Sequence, residues 1–91
     1  MENTFLRRIS EIELQNRIKL HEMWINSNHK KGKRLELLCC KIENVDFSKY
    51  LKTYKNIKIE NSIIKNSSFK SCEFIECSFK NRQLIGVAKW K

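Results

Sequence analysis

The sequence predicts a mainly-β repeat structure closed at its N-terminal end by an α-helix. Three observations predict it. Phe69, Phe74 and Phe79 lie five residues apart, and a small side chain (Ser67, Cys72 or Cys77) sits two residues before each. An α-helix repeats every 3.6 residues and a strand every two, so neither gives this spacing. No glycine lies between Gly32 and Gly86 and the chain has no proline, whereas sheets built from hairpins use both in their turns. The third observation is the N-terminal stretch, whose apolar residues recur at helical intervals.

The bulk composition fits one small domain of 91 residues. At this length the core is thin, so the architecture must bury its apolar residues efficiently or find a partner. No apolar run approaches the ~18 residues of a membrane span. The segment MENTFLRRISEIEL carries acidic residues and lacks the apolar core of a secretory signal. The expectation is a cytoplasmic protein with no membrane association.

Residues 4–26 are expected to form the helix, capped by Asn3 or Thr4. Phe5, Ile9 and Ile12 would line one apolar stripe, continued by Leu14, Ile18 and Met23 or Ile25, with Leu20 and Trp24 alongside. Glu13 and Arg17 are spaced to pair one helical turn apart. The polar run NSNHKKGKR ends the helix, with Gly32 available for a positive backbone angle.

From Leu35 onward the period is five, with two inward positions per repeat. The clean pairs are Ile57/Ile59, Ser62/Ile64, Ser67/Phe69, Cys72/Phe74 and Cys77/Phe79; Arg82/Leu84 keeps the apolar centre only. An upstream block holds Leu35/Leu37, Cys40/Ile42 and Val45/Phe47. Phe47 and Tyr54 are seven residues apart, which places a two-residue insertion within SKYLKTY. The expected organisation is a helix and cap loop over 1–34, repeats over 35–84 with a register break near 48–54, and a tail or cap over 85–91. The expected core is Ile42, Phe47, Tyr54, Ile59, Ile64, Phe69, Phe74, Phe79 and Leu84. Cys40, Cys72 and Cys77 point inward by phase, whereas Cys39 points outward. Cys39 and Cys40 are adjacent and neither cysteine pair has the C-x-x-C spacing of a zinc half-site, so reduced, packed cysteines with no metal and no cofactor are expected.

The run NSIIKNSSFKSCEFIECSFKNRQL resembles the pentapeptide-repeat family. The segment LHEMWINSNHKKGKRLEL is similar to the cap of many members, through His21, Trp24, Gly32 and Arg34. Together the likeness spans roughly Leu20 to Leu84. It implies a short right-handed quadrilateral β-helix, one repeat per side and about 20 residues per coil, with coils spaced by the usual ~4.8 Å between strands. Its stacked columns would set Ile59 over Phe79, Ile64 over Leu84, Tyr54 over Phe74 and Ile57 over Cys77. The chain departs from the family pattern before each centre, where Lys58, Ile63, Ser68, Glu73 and Ser78 replace Asp or Asn.

The net charge of +9 favours anionic partners. Lys30, Lys31, Lys33 and Arg34 form a tight basic loop. Lys55, Lys65, Lys70 and Lys80 each follow a central residue and project outward, and Tyr50 is a loop aromatic free to meet a partner. There is no Gly-rich phosphate loop and no G-x-S-x-G or H-E-x-x-H motif, so no enzyme is expected. The resemblance implies a rigid protein-interaction module. Understood members often mimic DNA and act on enzymes such as gyrase, but this chain is basic where those are acidic. The expectation is therefore a small inhibitor of a nucleic-acid-handling machine, such as a CRISPR effector or a topoisomerase. The alternatives are direct nucleic-acid binding, or a scaffold that forms a homodimer through LIGVAKWK.

Overall fold

A computed structural model describes residues 6–88. The chain begins as an extended segment, β1 (Arg7–Arg8), rather than as a helix. β1 lies parallel to β3 (Cys40–Glu43); the Arg7 N–H donates to the Cys39 carbonyl and the Ile9 N–H to that of Lys41, each at 3.0 Å. The helix α1 then runs over Glu11–Asn26. Its N-cap is Ser10, extended at φ −70° and ψ 161°, whose hydroxyl accepts the Glu13 N–H at 3.1 Å. This corrects the helix expected over residues 4–26, whose proposed caps and Phe5 lie outside the described residues. The apolar spacing through Ile9 looked helical, but the sheet edge beside β3 needed a partner and took this segment instead.

The stripe on α1 is also corrected. Its buried face is Leu14, Ile18 and His21, at helical spacing. Ile12 is 73% exposed, and Met23 is exposed as well.

Beyond the helix, every strand pairing is parallel, and successive strands pass from sheet to sheet. One sheet holds β1, β3, β6 (Ile63–Lys65) and β9 (Gln83–Ile85). A second holds β2 (Glu36–Leu38), β5 (Lys58–Glu60) and β8 (Ser78–Lys80). A third pairs β4 (Thr53–Lys55) with β7 (Glu73–Ile75). Isolated bridges Asp46–Ser68–Ala88 mark a fourth column. The fold is thus strand-rich, with parallel sheets and one helix, an arrangement compatible with a parallel β-solenoid.

Register follows the spacing of the apolar centres. Leu37 faces Ile59 and Ile42 faces Ile64, 22 residues apart. Tyr54 faces Phe74, Ile59 faces Phe79 and Ile64 faces Leu84, 20 residues apart. The difference of two is taken up after Phe47, where a 3-10 turn over Phe47–Lys49 is capped by the Asp46 carboxylate accepting from the Ser48 N–H.

The corners recur two residues beyond each centre. Asn44, Asn56, Asn61, Asn66 and Asn81 have φ between 50° and 61°, as do Cys39, Glu76 and Gly86, with Ser71 at 65°. Asparagine tolerates this left-handed region better than most residues, which is how the chain turns with so little glycine. The corner N–H groups bond to the next layer, Asn61 to the Lys80 carbonyl at 3.0 Å and Asn66 to that of Ile85 at 2.8 Å. The small inward residues also tie layers together: the Ser62 hydroxyl accepts the Cys40 N–H, and that of Ser67 accepts the Val45 N–H.

Inside, rings stack from strand to strand across the core. Phe47 lies 4.4 Å from Phe69, and Tyr54 lies 5.5 Å from Phe74. The buried Tyr54 hydroxyl donates to the Phe47 carbonyl at 2.6 Å, and burial raises its pKa. Of the expected core, Ile42, Phe47, Tyr54, Ile59, Ile64 and Phe69 are buried. Phe74, Phe79 and Leu84 are only partly buried, because they belong to the last layer. The repeats themselves run on past the expected boundary at 84: the Ala88 N–H donates to the Ser67 carbonyl and the Phe69 N–H to that of Ala88. Lys89, Trp90 and Lys91 lie outside the described residues.

Candidate anion-binding site at the helical cap

The loop after α1 is built by a few local interactions. The Ser27 hydroxyl accepts the N–H groups of Lys30 and Lys31, at 3.2 and 2.8 Å. Asn28 and His29 both take positive φ, which throws the chain back on the helix. The His29 ring then stacks on Trp24 at 3.7 Å, nearly parallel. Gly32, at φ +78°, lies so close to α1 that a Cβ there would sit 2.2 Å from the Leu20 carbonyl oxygen. The Lys33 N–H donates to that same carbonyl at 3.0 Å. The loop is therefore docked, and it presents Lys30, Lys31 and Lys33 as exposed cations on a fixed frame.

Two cap side chains replace a missing strand. Among the described residues β4 has a strand on one edge only, β7. His21 donates from Nε2 to the Lys55 carbonyl at 2.8 Å, and the Arg34 Nε donates to that of Asn56 at 2.6 Å. Arg34 is thus half-buried and structural, with Glu36 3.9 Å away. His21 and Trp24 belong to the packed cap, their rings 5.7 Å apart.

Between α1, β1 and β2 lies a cleft of about 400 Å³. Arg7, Arg17, Lys33 and Arg34 line it, with Glu36 among them. Leu20 and Leu38 give it an apolar floor, and both are substantially exposed, 41% and 45%. Glu13 holds two of the arginines in place, Arg7 at 2.5 Å and Arg17 at 3.0 Å, the latter being the pair expected one helical turn apart. The hydrogen bond from Arg7 is the main reason that the Glu13 carboxyl titrates below its ordinary value. Burial pushes the Cys40 thiol at the cleft wall upward, against a smaller opposing pull from Arg17 and Arg7.

The charge is concentrated here. Residues 6–34 carry eight cations against three carboxylates, a net +5, while residues 35–88 carry nine against six, a net +3. The outward lysines of the repeats are dispersed. Lys65 is in register with Glu43 and Lys80 with Glu60, so cross-strand opposite charges offset them. Lys55 faces Ile75 on another sheet, and Lys70 lies beyond the bridge at Ser68. Tyr50 is not a free aromatic: its hydroxyl donates to the Glu11 carboxylate, which Lys49 also approaches at 3.3 Å.

Sequence reasoning found the loop but missed the cleft. With the helix expected from residue 4, Arg7 reads as a polar gap-filler, Arg17 as the partner of Glu13 and Leu20 as flanking the apolar stripe, and nothing joins them to Leu38. The signal that exposes the error is Ser10-x-x-Glu13, the spacing of a capping box, which starts the helix at Ser10 and frees Arg7 to pair as a strand. Among the described residues no group of three or more His, Cys, Asp or Glu lies together to hold a metal ion, and no helix is long and apolar enough to cross a membrane. No protein-family profile, curated protein or solved structure matches the chain.

Proposed function

We propose that the chain is a pentapeptide-repeat protein, a short right-handed quadrilateral β-helix, and that it acts as a non-enzymatic protein-interaction module docking an anionic partner on its helical cap. The carrying observation is the asymmetry of charge: residues 6–34 hold a net +5, with Lys30, Lys31 and Lys33 exposed on a docked loop, while the longer stretch 35–88 holds a net +3 that is dispersed over several faces. A docked loop presents charge at little entropic cost, which favours recognition over mere solubility. The narrower role, inhibition of a nucleic-acid-handling machine, rests on the family resemblance alone.

A second reading is nucleic-acid binding through Lys30, Lys31 and Lys33, favoured by their clustering on a rigid exposed loop. Affinity capture from the native cell, with the wild type and with a Lys30→Glu/Lys31→Glu/Lys33→Glu variant, tests the first reading. The variant is expected to lose the partner; capture of the same proteins by both would overturn it. Titration with duplex DNA and RNA at two salt concentrations tests the second, which requires binding that weakens steeply with salt.

A further inference from the structure

The cleft lies over an open strand edge. Among the described residues β2 pairs with β5 on one side and with no strand on the other, the side that faces α1. On the neighbouring sheet the equivalent edge of β3 is taken by β1, and at β4 by His21 and Arg34. At β2, among the described residues, side chains rather than a strand meet this edge: Arg17 Nη1 donates to the Glu36 carbonyl at 3.4 Å and the Cys40 thiol to the Leu38 carbonyl at 3.1 Å. Among the described residues no strand fills this edge, and Glu36 and Leu38 line a concavity of about 400 Å³ beside it.

We propose that this cleft receives an extended acidic segment of a partner protein, which adds as a strand along β2. The inference rests on the interaction-module reading above and deepens it. Three features of the site agree on the occupant. A strand edge offers a row of main-chain donors and acceptors, which an extended peptide satisfies and a sugar-phosphate backbone does not. The rim sets Arg7, Arg17, Lys33 and Arg34 against Glu13 and Glu36, which already bridge the three arginines, so its remaining net positive charge, with Lys33 exposed, favours carboxylates. The floor is aliphatic, Leu20 and Leu38, and so fits leucine-like side chains; a site for single-stranded nucleic acid stacks bases on aromatic rings. No aromatic residue is among the described lining, and the Trp24 face on the same helix is already covered by His29. β2 is three residues long, so the paired segment spans about 10 Å at the usual strand rise. Its alternate side chains would meet the leucine floor and the cationic rim.

The test uses the full chain and three fluorescein-labelled probes: a peptide of alternating leucine and glutamate, a peptide of glutamate alone, and a short oligothymidylate. Fluorescence anisotropy is expected to show the alternating peptide binding best. Leu38→Ser and Lys33→Gln are each expected to weaken it about tenfold, the size of one lost apolar or charged contact. Lys70→Gln, on a distant face, is expected to leave it unchanged. Because Leu38 and Lys33 are exposed, these variants keep the core, and a thermal melt checks that they do. Backbone amide shifts of Glu36 and Leu38 on binding are expected to exceed those elsewhere in the repeats. Failure of all probes, insensitivity to both variants, or tighter binding of oligothymidylate at these residues would each overturn the proposal. Loss of cellular capture in the loop variant with no effect of Leu38→Ser would sink the cleft while keeping the interaction-module reading.

Discussion

The imidazole of His21 bonds to the backbone of Leu35, whose N–H donates to Nδ1 at 2.9 Å. With Nδ1 accepting, the proton sits on Nε2 and is given to the Lys55 carbonyl. One neutral ring thus joins α1 to the start of the repeats and to β4. Burial is the main cause that lowers its pKa below the ordinary 6.5; the bond to Lys55 opposes this, and Arg34 and His29 add smaller repulsions. The unfolded chain therefore takes up the proton more readily, and stability rises with pH across this titration. The contribution is complete above the ordinary histidine value and is lost as pH falls below it toward the lowered folded value. Urea unfolding between about pH 7.5 and pH 5.5 is expected to show a falling midpoint, flattened in His21→Gln. The acid-lowered carboxyls Glu11 and Glu13 titrate below 4.5 and leave this window clear.

The aromatic column makes a graded prediction. Phe69 is buried between Phe47 and Phe74, whereas Phe74 is partly exposed in the last layer. Phe69→Ala is expected to cost roughly 3–5 kcal/mol, which is most of the stability of so small a domain. Phe74→Ala is expected to cost less, because its ring keeps contact with water in the folded state. Chemical denaturation of the two variants measures the order; a larger loss at Phe74 would mean that the last layer is covered in solution.

Much of this fold is legible in the sequence because it is periodic. The five-residue spacing of Ile59, Ile64 and Phe69 names the inward positions, and the seven residues from Phe47 to Tyr54 locate the inserted turn. The asparagines at 44, 56, 61, 66 and 81 mark five of the corners, each two residues past a centre, while Cys39, Ser71, Glu76 and Gly86 fill the equivalent positions without that signal. What resisted reading was the junction between periods. Ile9 satisfies a helical stripe and a strand equally well; the Ser10-x-x-Glu13 cap starts the helix after it, and the unpaired edge of β3, a feature of the tertiary fold, draws the segment into a strand. The cleft depends on that decision, since Arg7 reaches it only as a strand residue. Arg17 and Leu20 sit on a helix face that looks like ordinary solvent-exposed surface until β2 is placed opposite.

The corners give a prediction about backbone strain. Asn61 holds φ 53° and its side-chain carbonyl accepts from the Asn81 amide at 2.7 Å, one layer on. Asn61→Ala places a Cβ-bearing residue without a local polar partner in the left-handed region, at a cost of roughly 1–2 kcal/mol. Asn61→Gly relieves the angle while still losing the ladder bond. The expected order of urea midpoints is therefore wild type, then glycine, then alanine. An alanine variant as stable as glycine would show that backbone strain at this corner is negligible.

The adjacent cations Lys33 and Arg34 are expected to separate binding from folding. Arg34 Nε donates to the Asn56 carbonyl at 2.6 Å from a half-buried position, so it closes the free edge beside β4. Arg34→Ala removes a charge-assisted bond and is expected to cost about 1–2 kcal/mol, the lower part of the usual range because water can reach the site. Lys33 is exposed, and only its backbone N–H is used by the fold, in the bond to Leu20. Lys33→Ala is therefore expected to change stability by less than about 0.5 kcal/mol. Denaturation curves for the pair check this directly. If both variants prove equally unstable, the loop is held by its charges rather than by Ser27, Gly32 and the Leu20 carbonyl. Lys33 would then be part of the frame that positions the site, and its loss from a binding assay would report folding rather than recognition.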